Sequence, residues 1–351
     1  MKILYCGLKF DYGEAYLGYS FEHLNFFNTL KKMSSIKKLD YISIDETIRL
    51  YNKEYLNELI ISYAKQNSYD LIFFFLFKDE IYETTLKTLK NELSTPTIAW
   101  MADDHWRFET YSKYWAKYFT LVVTTDLNSL KKYKDNNINN VILSQWGCNH
   151  YDYKPTINKK SYKVTFVGMA HGNRKNNINY LKKFNQIECW GNGWENKKIP
   201  FGQMVEIYSN SNINLNFSES SSQRNLKTFI KIFLSKSTKS SYKLNNLDLM
   251  YKNFINFYQK KTYQIKGRVF EVPACRGFLL TENCKNLDSY FEFDKEIVVF
   301  DTLEEANSKI KFFKNNLRSA ETIAKKGYLR VINEHTYEKR FLTIFKKLYD
   351  K

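Results

Sequence analysis

A short basic run followed by one carboxylate carries the most informative chemistry in the sequence. Lys266, Gly267 and Arg268 place a point charge, an unhindered backbone and a planar guanidinium side by side, a combination suited to phosphate oxygens. Glu271 follows at the start of an expected short helix, so one segment can hold a nucleoside diphosphate together with its ribose. A basic loop before an ordinary core helix is the other interpretation, and composition alone does not choose between them.

A glycine-containing loop earlier in the chain is a second candidate anion site. A strand-like run ends at Gly168, and a helix is expected shortly after it. A strand, a glycine loop and a helix N-terminus together present backbone N–H groups to an anion. We therefore expect His171, Gly172 and Arg174 to face a diphosphate.

A third cluster follows a predicted strand in the first half of the chain and combines indoles, carboxylates and an imidazole. Indole faces pack on sugar rings, so Trp100 and Trp106 are candidates for contact with an acceptor sugar. Asp103 or Asp104 is a candidate general base toward an acceptor hydroxyl, with His105 assisting. The alternative is structural: one aspartate caps a helix and the tryptophans belong to the core. Adjacent acids alone are weak evidence for a metal, and none is predicted.

The first loop of the chain, residues 7–18, is a further candidate for the acceptor side. It lacks the GxGxxG spacing, so no dinucleotide is predicted there. Gly13 would let the loop lie close to a sugar, although an ordinary turn explains it equally well.

The segment around Lys266 resembles the donor-site signature of GT-B glycosyltransferases, most closely the CgeB-like, spore-maturation type within the group 1 glycosyl transferases. The resemblance covers residues 264–282 and continues, in order, through 290–300, 304–305, 323–331 and 334–337, with Arg340. It implies an α/β protein with two Rossmann-like domains facing across a cleft. It also implies a C-terminal helix that crosses back to the N-terminal domain.

The resemblance also implies roles for individual residues. Glu271 would accept hydrogen bonds from the ribose, Lys266 and Arg268 would hold the diphosphate, and the N-terminal domain would take the acceptor. The resemblance implies no cofactor and no metal. The nucleotide-diphosphate sugar would be a co-substrate. The sequence departs from retaining relatives at Tyr263, where they place another Glu, and at Arg276, where a second glycine is common.

The elements that must position these residues alternate between strand and helix, which favours open parallel sheets with ligands at the carboxyl ends of their strands. The predicted strands are 3–6, 39–43, 71–77, 97–101, 121–124, 140–143, 162–168, 187–190, 213–217 and 278–281. The predicted helices include 21–32, 53–66, 80–93, 176–184, 201–209, 269–274 and 337–349. In the helix at 269–274, Pro273 is expected near the start and Gly277 after the end. We place an acceptor-side domain at 1–155, a donor domain at 156–335 and the crossover helix at 336–351.

Residues 220–263 are longer than the usual spacing and are basic, polar and aromatic. Two amphipathic helices are expected there, at 227–236 and 244–258. They would either pack on the donor domain or touch an anionic membrane surface or a lipid acceptor.

Composition limits the partners without choosing one. The 351 residues carry a formal charge of +17, with 17 % aromatic residues, which favours anionic partners. No zinc spacing, RNP block or helix-turn-helix signature is present, so nucleic acid is not expected. Five scattered cysteines indicate free thiols. A start without signal-peptide features and apolar runs too short to span a bilayer predict a cytoplasmic protein, with contact at the inner membrane face as a further hypothesis.

These observations predict a metal-independent glycosyltransferase of the hexosyl or a related class. It would move a sugar from a nucleotide-diphosphate donor to a glycan, a lipid-linked glycan or a protein. Two alternatives stay open. One is a nucleotide-sugar-binding or glycan-binding protein without catalysis, and the other is a basic nucleic-acid-binding protein.

Overall fold

The chain is divided between two compact units. The computed structural model describes residues 1–156, 160–219, 226–236, 242–259 and 262–350. The first unit contains Met1–Gln145 and Tyr337–Lys351, and the second contains Trp146–Thr336. The chain thus enters the second unit at Trp146, before the boundary we placed at residue 155, and returns to the first at Tyr337.

The first unit is built on a six-stranded parallel sheet. Its strands are β1 (Lys2–Gly7), β2 (Lys38–Ser43), β3 (Leu71–Phe74), β4 (Thr97–Met101), β5 (Leu121–Thr124) and β6 (Val141–Leu143), in the order β2-β1-β3-β4-β5-β6. β3 and β4 are buried along their whole length, as expected for strands covered on both faces. The strand order reverses at β1, where such sheets open a crevice at their carboxyl ends.

Short helices connect these strands. They are α1 (Asn28–Lys32), α2 (Ile44–Leu50), α3 (Lys53–Gln66), α4 (Glu83–Asn91), α5 (Asp104–Arg107), α6 (Lys113–Trp115) and α7 (Leu127–Asp135). π-helical turns at His23–Phe27 and Phe108–Ser112 precede α1 and α6. Asn52 caps the start of α3, and its side-chain oxygen accepts a hydrogen bond from the Tyr55 backbone N–H at 2.7 Å, which satisfies one of the free donors of the first turn.

The second unit repeats the plan with a five-stranded parallel sheet. Its strands are β7 (Tyr162–Val167), β8 (Glu188–Trp190), β9 (Ser211–Asn216), β12 (Leu279–Glu282) and β13 (Val298–Phe300), in the order β13-β12-β9-β7-β8. A separate antiparallel pair joins β10 (Leu234–Lys236) to β11 (Tyr242–Leu244). The helices are α8 (Arg174–Lys182), α9 (Phe201–Asn210), α10 (Leu226–Phe233), α11 (Leu247–Gln259), α12 (Arg268–Ala274), α13 (Leu303–Asn315) and α14 (Leu317–Glu334).

The end of α12 differs from the sequence prediction. The helix begins at Arg268, so Pro273 lies in its second turn and not near its start. Arg276, with φ 54°, adopts the left-handed conformation that ends the helix, while Gly277 donates its N–H to the Val272 carbonyl at 3.0 Å, as in a Schellman turn. Gly277 is needed for another reason, because a Cβ there would press on the Tyr208 carbonyl.

The last helix, α15 (Tyr337–Tyr349), belongs to the first unit, which confirms the expected return of the chain. Its Phe341 is fully buried. The ring centroid lies 5.3 Å from that of Phe26 and 5.5 Å from that of Phe73. The first unit therefore draws part of its core from the far end of the chain.

Two further expectations concern the whole chain. All five cysteines are free and buried, as predicted. In the part of the chain that the structure describes, no helix is both long and apolar enough to cross a membrane.

Candidate functional site

The candidate site lies at the carboxyl ends of the strands of the second unit. Gly168 directly follows β7, Ser218 and Glu219 follow β9, and Arg268 opens α12. Since these strands run parallel, the segments after them meet at one edge of the sheet.

Four basic residues from two separate segments come together there. His171 lies in the loop after β7, and Arg174 is the first residue of α8. Lys266 lies just before α12, and Arg268 is the first residue of that helix. His171 is close enough to all three other side chains for their charges to lower its pKa. We call these four residues the cationic cluster; each was predicted to contact a diphosphate, and the structure brings them together.

Burial sets the charge of two members of the cationic cluster. Burial, followed by the charges of Arg174, Lys266 and Arg268, lowers the pKa of His171 to about 4. His171 is therefore a neutral imidazole at pH 7. Burial and the neighbouring Arg268 lower the pKa of Arg174 to about 10, so this side chain keeps its charge at neutral pH.

Arg268 is held in place by several contacts. Its Nη1 donates to Asn216 Oδ1 at 2.8 Å, and its guanidinium carbon lies 5.2 Å from the Phe166 ring centroid. A Cβ at position 168 would collide with Arg268 Nη2. Only glycine at Gly168 lets the strand end approach this guanidinium so closely. The carbonyl of Gly168 in turn accepts a hydrogen bond from Trp194 Nε1 at 2.7 Å.

Three nitrogens of the cationic cluster have unused hydrogen-bonding capacity. Among the described residues, His171 Nδ1, Arg174 Nε and Arg268 Nε are buried and make no hydrogen bond. A buried polar group left without a partner costs about 1–3 kcal/mol. An oxyanion at this edge of the sheet would relieve that cost and the mutual repulsion of the cations.

Two glutamates near the cationic cluster were not predicted from the sequence. Glu282 accepts hydrogen bonds from the backbone N–H groups of Ser218 and Glu219, at 2.8 and 2.9 Å. Glu219 accepts one from Asn173 Nδ2 at 2.9 Å. Both carboxyl groups interact electrostatically with Arg174 while bonding to other partners. Both glutamates lie at or just after strand ends, as Asn216 does, and this position could have identified them from the sequence as candidates for the site.

The remaining predicted donor-side residues are Gly172 and Glu271. Gly172 has φ 65°, a conformation that favours glycine. Glu271 is only 6 % exposed and accepts a hydrogen bond from the Tyr153 hydroxyl. Burial raises its pKa to about 7, partly offset by Arg268. Contact with a ribose stays a prediction.

Arg276 lies away from the cationic cluster. It precedes β12, at the amino end of the sheet, where it lines a cavity of about 360 Å³ with Lys160 and Glu321. An exposed side chain fits this position, and a phosphate contact in the cationic cluster does not.

The structure corrects two expectations for the first unit. Trp100 lies within β4 and is 1 % exposed, with its ring edge-on to Phe26 at 4.8 Å. It is a core residue and offers no face to an acceptor sugar. Asp104 is fully buried and accepts a hydrogen bond from the Tyr133 hydroxyl at 2.8 Å. Burial raises its pKa to about 6, but its contact with α7 makes it a structural residue and not an accessible general base.

The other predicted acceptor-side residues are partly exposed. Asp103 has φ 62°, and its carbonyl accepts hydrogen bonds from the N–H groups of Trp106 and Arg107, each at 3.0 Å. Its side chain does not cap α5, so the capping alternative is wrong for this residue. His105 and Trp106 lie half-buried in α5, and Gly13 has φ 79°. Their contact with an acceptor stays a prediction.

Glu22 is a carboxyl group with a raised pKa that the sequence did not indicate. It lies in the helical segment between the first loop and α1 and is half-buried. Burial raises its pKa to about 7, and Asp11 and Asp45 add to the shift. A single Glu in an amphipathic helix gives no sequence signal of this kind.

Within the described ranges, no group of three or more His, Cys, Asp and Glu side chains could hold a metal ion.

Known proteins resemble this chain in sequence over one segment and in fold over the whole length. Residues 237–346 match a family model described as Glycosyl transferase-like. No curated protein sequence matches the chain. HepE from Anabaena, solved in complex with UDP, has a TM-score of 0.58 at 10 % identity, with 100 % of both chains covered. The fold is GT-B.

Two other solved structures agree with the GT-B fold. A glycosyltransferase from Rickettsia africae has a TM-score of 0.56 at 11 % identity, covering 100 % of this chain and 99 % of that one. TarM has a TM-score of 0.53 at 11 % identity over 84 % of this chain. The present chain spans only 58 % of TarM.

Proposed function

We propose that this protein transfers a glycosyl group from a nucleotide-diphosphate sugar to an acceptor hydroxyl. The observation that carries the proposal is the cationic cluster, with its buried nitrogens that lack partners among the described residues. Such a set of donors at the carboxyl edge of a parallel sheet suits a diphosphate.

The chemistry follows from where charge develops. The bond between the sugar C1 and the diphosphate oxygen breaks, and its electron pair leaves with the nucleoside diphosphate. The acceptor oxygen forms the new bond to C1, and its proton passes to the departing diphosphate or to solvent. Arg174, Lys266 and Arg268 would stabilise the negative charge on the leaving group, and neutral His171 would donate or accept a hydrogen bond there. We infer that these cations replace a divalent metal, so no cofactor is required.

The comparisons support this proposal. The matched family model is described as Glycosyl transferase-like. HepE was solved with UDP-glucose, and TarM from S. aureus with UDP and α-GlcNAc-glycerol. UDP and UDP-hexoses are therefore the first donors to test. For the acceptor we propose a glycan or a glycolipid, and for the subgroup the CgeB-like type.

The test begins with donor binding. UDP and a panel of UDP-, GDP- and ADP-sugars should raise the melting temperature of the wild-type protein, because a ligand that binds only the folded state stabilises it. Arg268→Ala should weaken the affinity for the stabilising nucleotide at least 10-fold, since it removes charge-assisted hydrogen bonds worth roughly 1.5–3 kcal/mol. Arg318→Ala removes an exposed arginine of the same unit and should leave the affinity unchanged.

The enzyme and its alternatives give different results. Release of nucleoside diphosphate that needs an acceptor and continues in EDTA would support metal-independent transfer. Nucleotide binding without turnover across an acceptor panel would instead indicate a binding protein. Equal nucleotide affinity in Arg268→Ala and Arg318→Ala would show that the cationic cluster is not part of the donor site.

A further inference from the structure

Residues 220–263, here called the basic excursion, concentrate the charge of the chain. They contain nine basic residues and one acidic residue, and so have a net charge of +8, against a formal net charge of +17 for the whole chain. The structure describes them over 226–236, 242–259 and 262–263. These parts include α10, the β10–β11 pair and α11.

The basic excursion belongs to the second unit, and it begins and ends beside the cationic cluster. Glu219 and Tyr263 pair as an isolated antiparallel bridge, and the Gln264 N–H donates to the Ser218 carbonyl at 3.0 Å. Both ends of the excursion therefore lie together at the carboxyl end of β9. Glu219 also accepts the hydrogen bond from Asn173, the residue before Arg174.

α10 presents an apolar face to solvent. Leu226, Phe229, Ile230 and Phe233 follow the i, i+3, i+4, i+7 spacing of one helical face and are between 41 % and 74 % exposed. Ile232, on another side of the helix, is buried. The exposed face is thus additional to the side that packs on the rest of the excursion.

α11 presents a second apolar face. Leu247, Tyr251, Phe254 and Tyr258 follow an i, i+4, i+7, i+11 spacing, which is again a single stripe, and they are between 46 % and 84 % exposed. With Leu244, Leu249 and Tyr263, eleven of the 25 exposed large hydrophobic side chains of the described chain lie in this one segment. Scattered exposed hydrophobics are ordinary, but a contiguous set marks an interaction surface.

We propose that α10 and α11 bind the surface of an anionic lipid bilayer. Apolar stripes bordered by lysines are the pattern of helices that lie in the membrane interface, and each lysine near an anionic surface contributes about 1 kcal/mol of attraction. The segment that contains α10 and α11 has a net sequence charge of +8, so two copies meeting through these helices would bring together two segments of like charge. Charge therefore favours an anionic surface over a second copy. No helix of the described residues could cross the bilayer, which fits contact in the plane of the interface.

A consequence concerns the acceptor, and this step rests on the proposed function. The basic excursion begins and ends next to the cationic cluster. A bilayer bound by α10 and α11 therefore lies against the unit that holds the donor site. The acceptor that fits this arrangement is a lipid-linked glycan.

The experiment measures binding to vesicles of phosphatidylcholine alone and of phosphatidylcholine with phosphatidylglycerol. The wild-type protein should sediment with the anionic vesicles only, and its affinity should fall as NaCl is raised, because salt screens exposed charges. Leu247→Glu with Tyr251→Glu should weaken this binding at least 10-fold, since it removes apolar contact and adds repulsion from the lipid.

A matched control separates this surface from general charge. Phe312→Glu with Leu329→Glu replaces two exposed apolar residues of the same unit and changes the net charge equally, and it should bind vesicles as wild type does. Leu226→Ser provides a milder variant of the α10 face if the double variant does not fold. Melting curves with and without UDP check the fold of every variant.

Several outcomes would overturn the proposal. They are the absence of sedimentation with anionic vesicles, equal loss in both double variants, and a wild-type dimer in solution that Leu247→Glu with Tyr251→Glu converts to monomer. The last result would assign the face to a second copy. Vesicle binding without any response to UDP or UDP-sugars would count against the proposed transfer while leaving the bilayer contact intact.

Discussion

At the scale of single residues, the cationic cluster shows what sequence reasoning could and could not supply. Residue types and spacing identified His171, Arg174, Lys266 and Arg268, because basic side chains beside glycines at strand ends are typical of anion sites. The same reasoning failed for Trp100 and Asp104. A side chain at the end of a strand points either into the core or out of it, and only the packing of neighbouring elements decides which.

Glu271 gives a prediction about pH. Burial raises the pKa of Glu271 in the folded protein from 4.5 to about 7. Between these two pH values the folded protein keeps a proton that the unfolded chain has lost. The stability that this protonated carboxyl group contributes below pH 4.5 is lost as the pH rises through 7. Glu271→Gln should therefore gain stability relative to wild type between about pH 5 and about pH 8, by at most about 3 kcal/mol. Urea unfolding of wild type and Glu271→Gln at both pH values measures this gain in stability.

The control for Glu271 is Glu321→Gln, an exposed carboxylate in the same unit. Its difference from wild type, measured at the same two pH values, is subtracted from that of Glu271→Gln. If Glu271→Gln showed a pH-independent difference, the carboxyl group would be ionised and well solvated in the native protein. If Glu271 contacts the ribose, the same variant should weaken UDP binding while it stabilises the fold.

At the scale of elements, the sequence predicted most strands and helices because their periodicity is strong. Covered parallel strands appear as short apolar runs, and β4 and β5 were predicted to the residue. Ends were less predictable: the third strand was expected to reach residue 77, but it stops at Phe74. The π-helical turn at His23–Phe27 was not predicted, since π-helix occurs mostly as single turns inside α-helices and the sequence rules for helices do not distinguish such a turn.

The C-terminal end of α12 yields a prediction about stability. Arg276 holds φ 54°, a conformation that costs a residue with a Cβ roughly 1–2 kcal/mol. Glycine is preferred at this position after a helix, so Arg276→Gly should stabilise the protein by about 0.5–1 kcal/mol. Urea unfolding would show the gain, and Arg276→Ala, which keeps a Cβ, should show none.

Arg276→Gly also tests where the phosphate site lies. Arg276 is at the amino end of the sheet, so UDP affinity should equal that of wild type. A clear loss of UDP affinity in this variant would place Arg276 among the phosphate ligands, contrary to its position before β12.

At the scale of the whole molecule, the resemblance to GT-B proteins predicted two parallel-sheet units and a last helix that returns to the first of them. The position where the chain changes unit could not be read from composition. The polar segment near Pro155 resembles a linker, yet Tyr153 is buried in the second unit beside Glu271. The sequence predicted amphipathic helices at 227–236 and 244–258 but could not decide whether their apolar faces are exposed, because amphipathic helices that pack on their own unit show the same periodicity.

The return of the chain makes the stability of the first unit depend on its last residues. Phe341 is fully buried against Phe26 and Phe73, so Phe341→Ala should destabilise the first unit by about 3–5 kcal/mol through lost contacts and a cavity. The adjacent Leu342 is 45 % exposed, and Leu342→Ala should change stability by no more than about 0.5 kcal/mol. Scanning calorimetry of both variants measures the difference.

Nucleotide binding supplies the second half of this test. Every residue of the cationic cluster belongs to the second unit. UDP should therefore still stabilise the second unit in Phe341→Ala, while the first unit melts at a lower temperature. A Phe341→Ala protein that melts as wild type does would show that α15 adds little to the core of the first unit. Loss of UDP binding with the second unit still folded would show instead that the donor site needs the first unit to be intact.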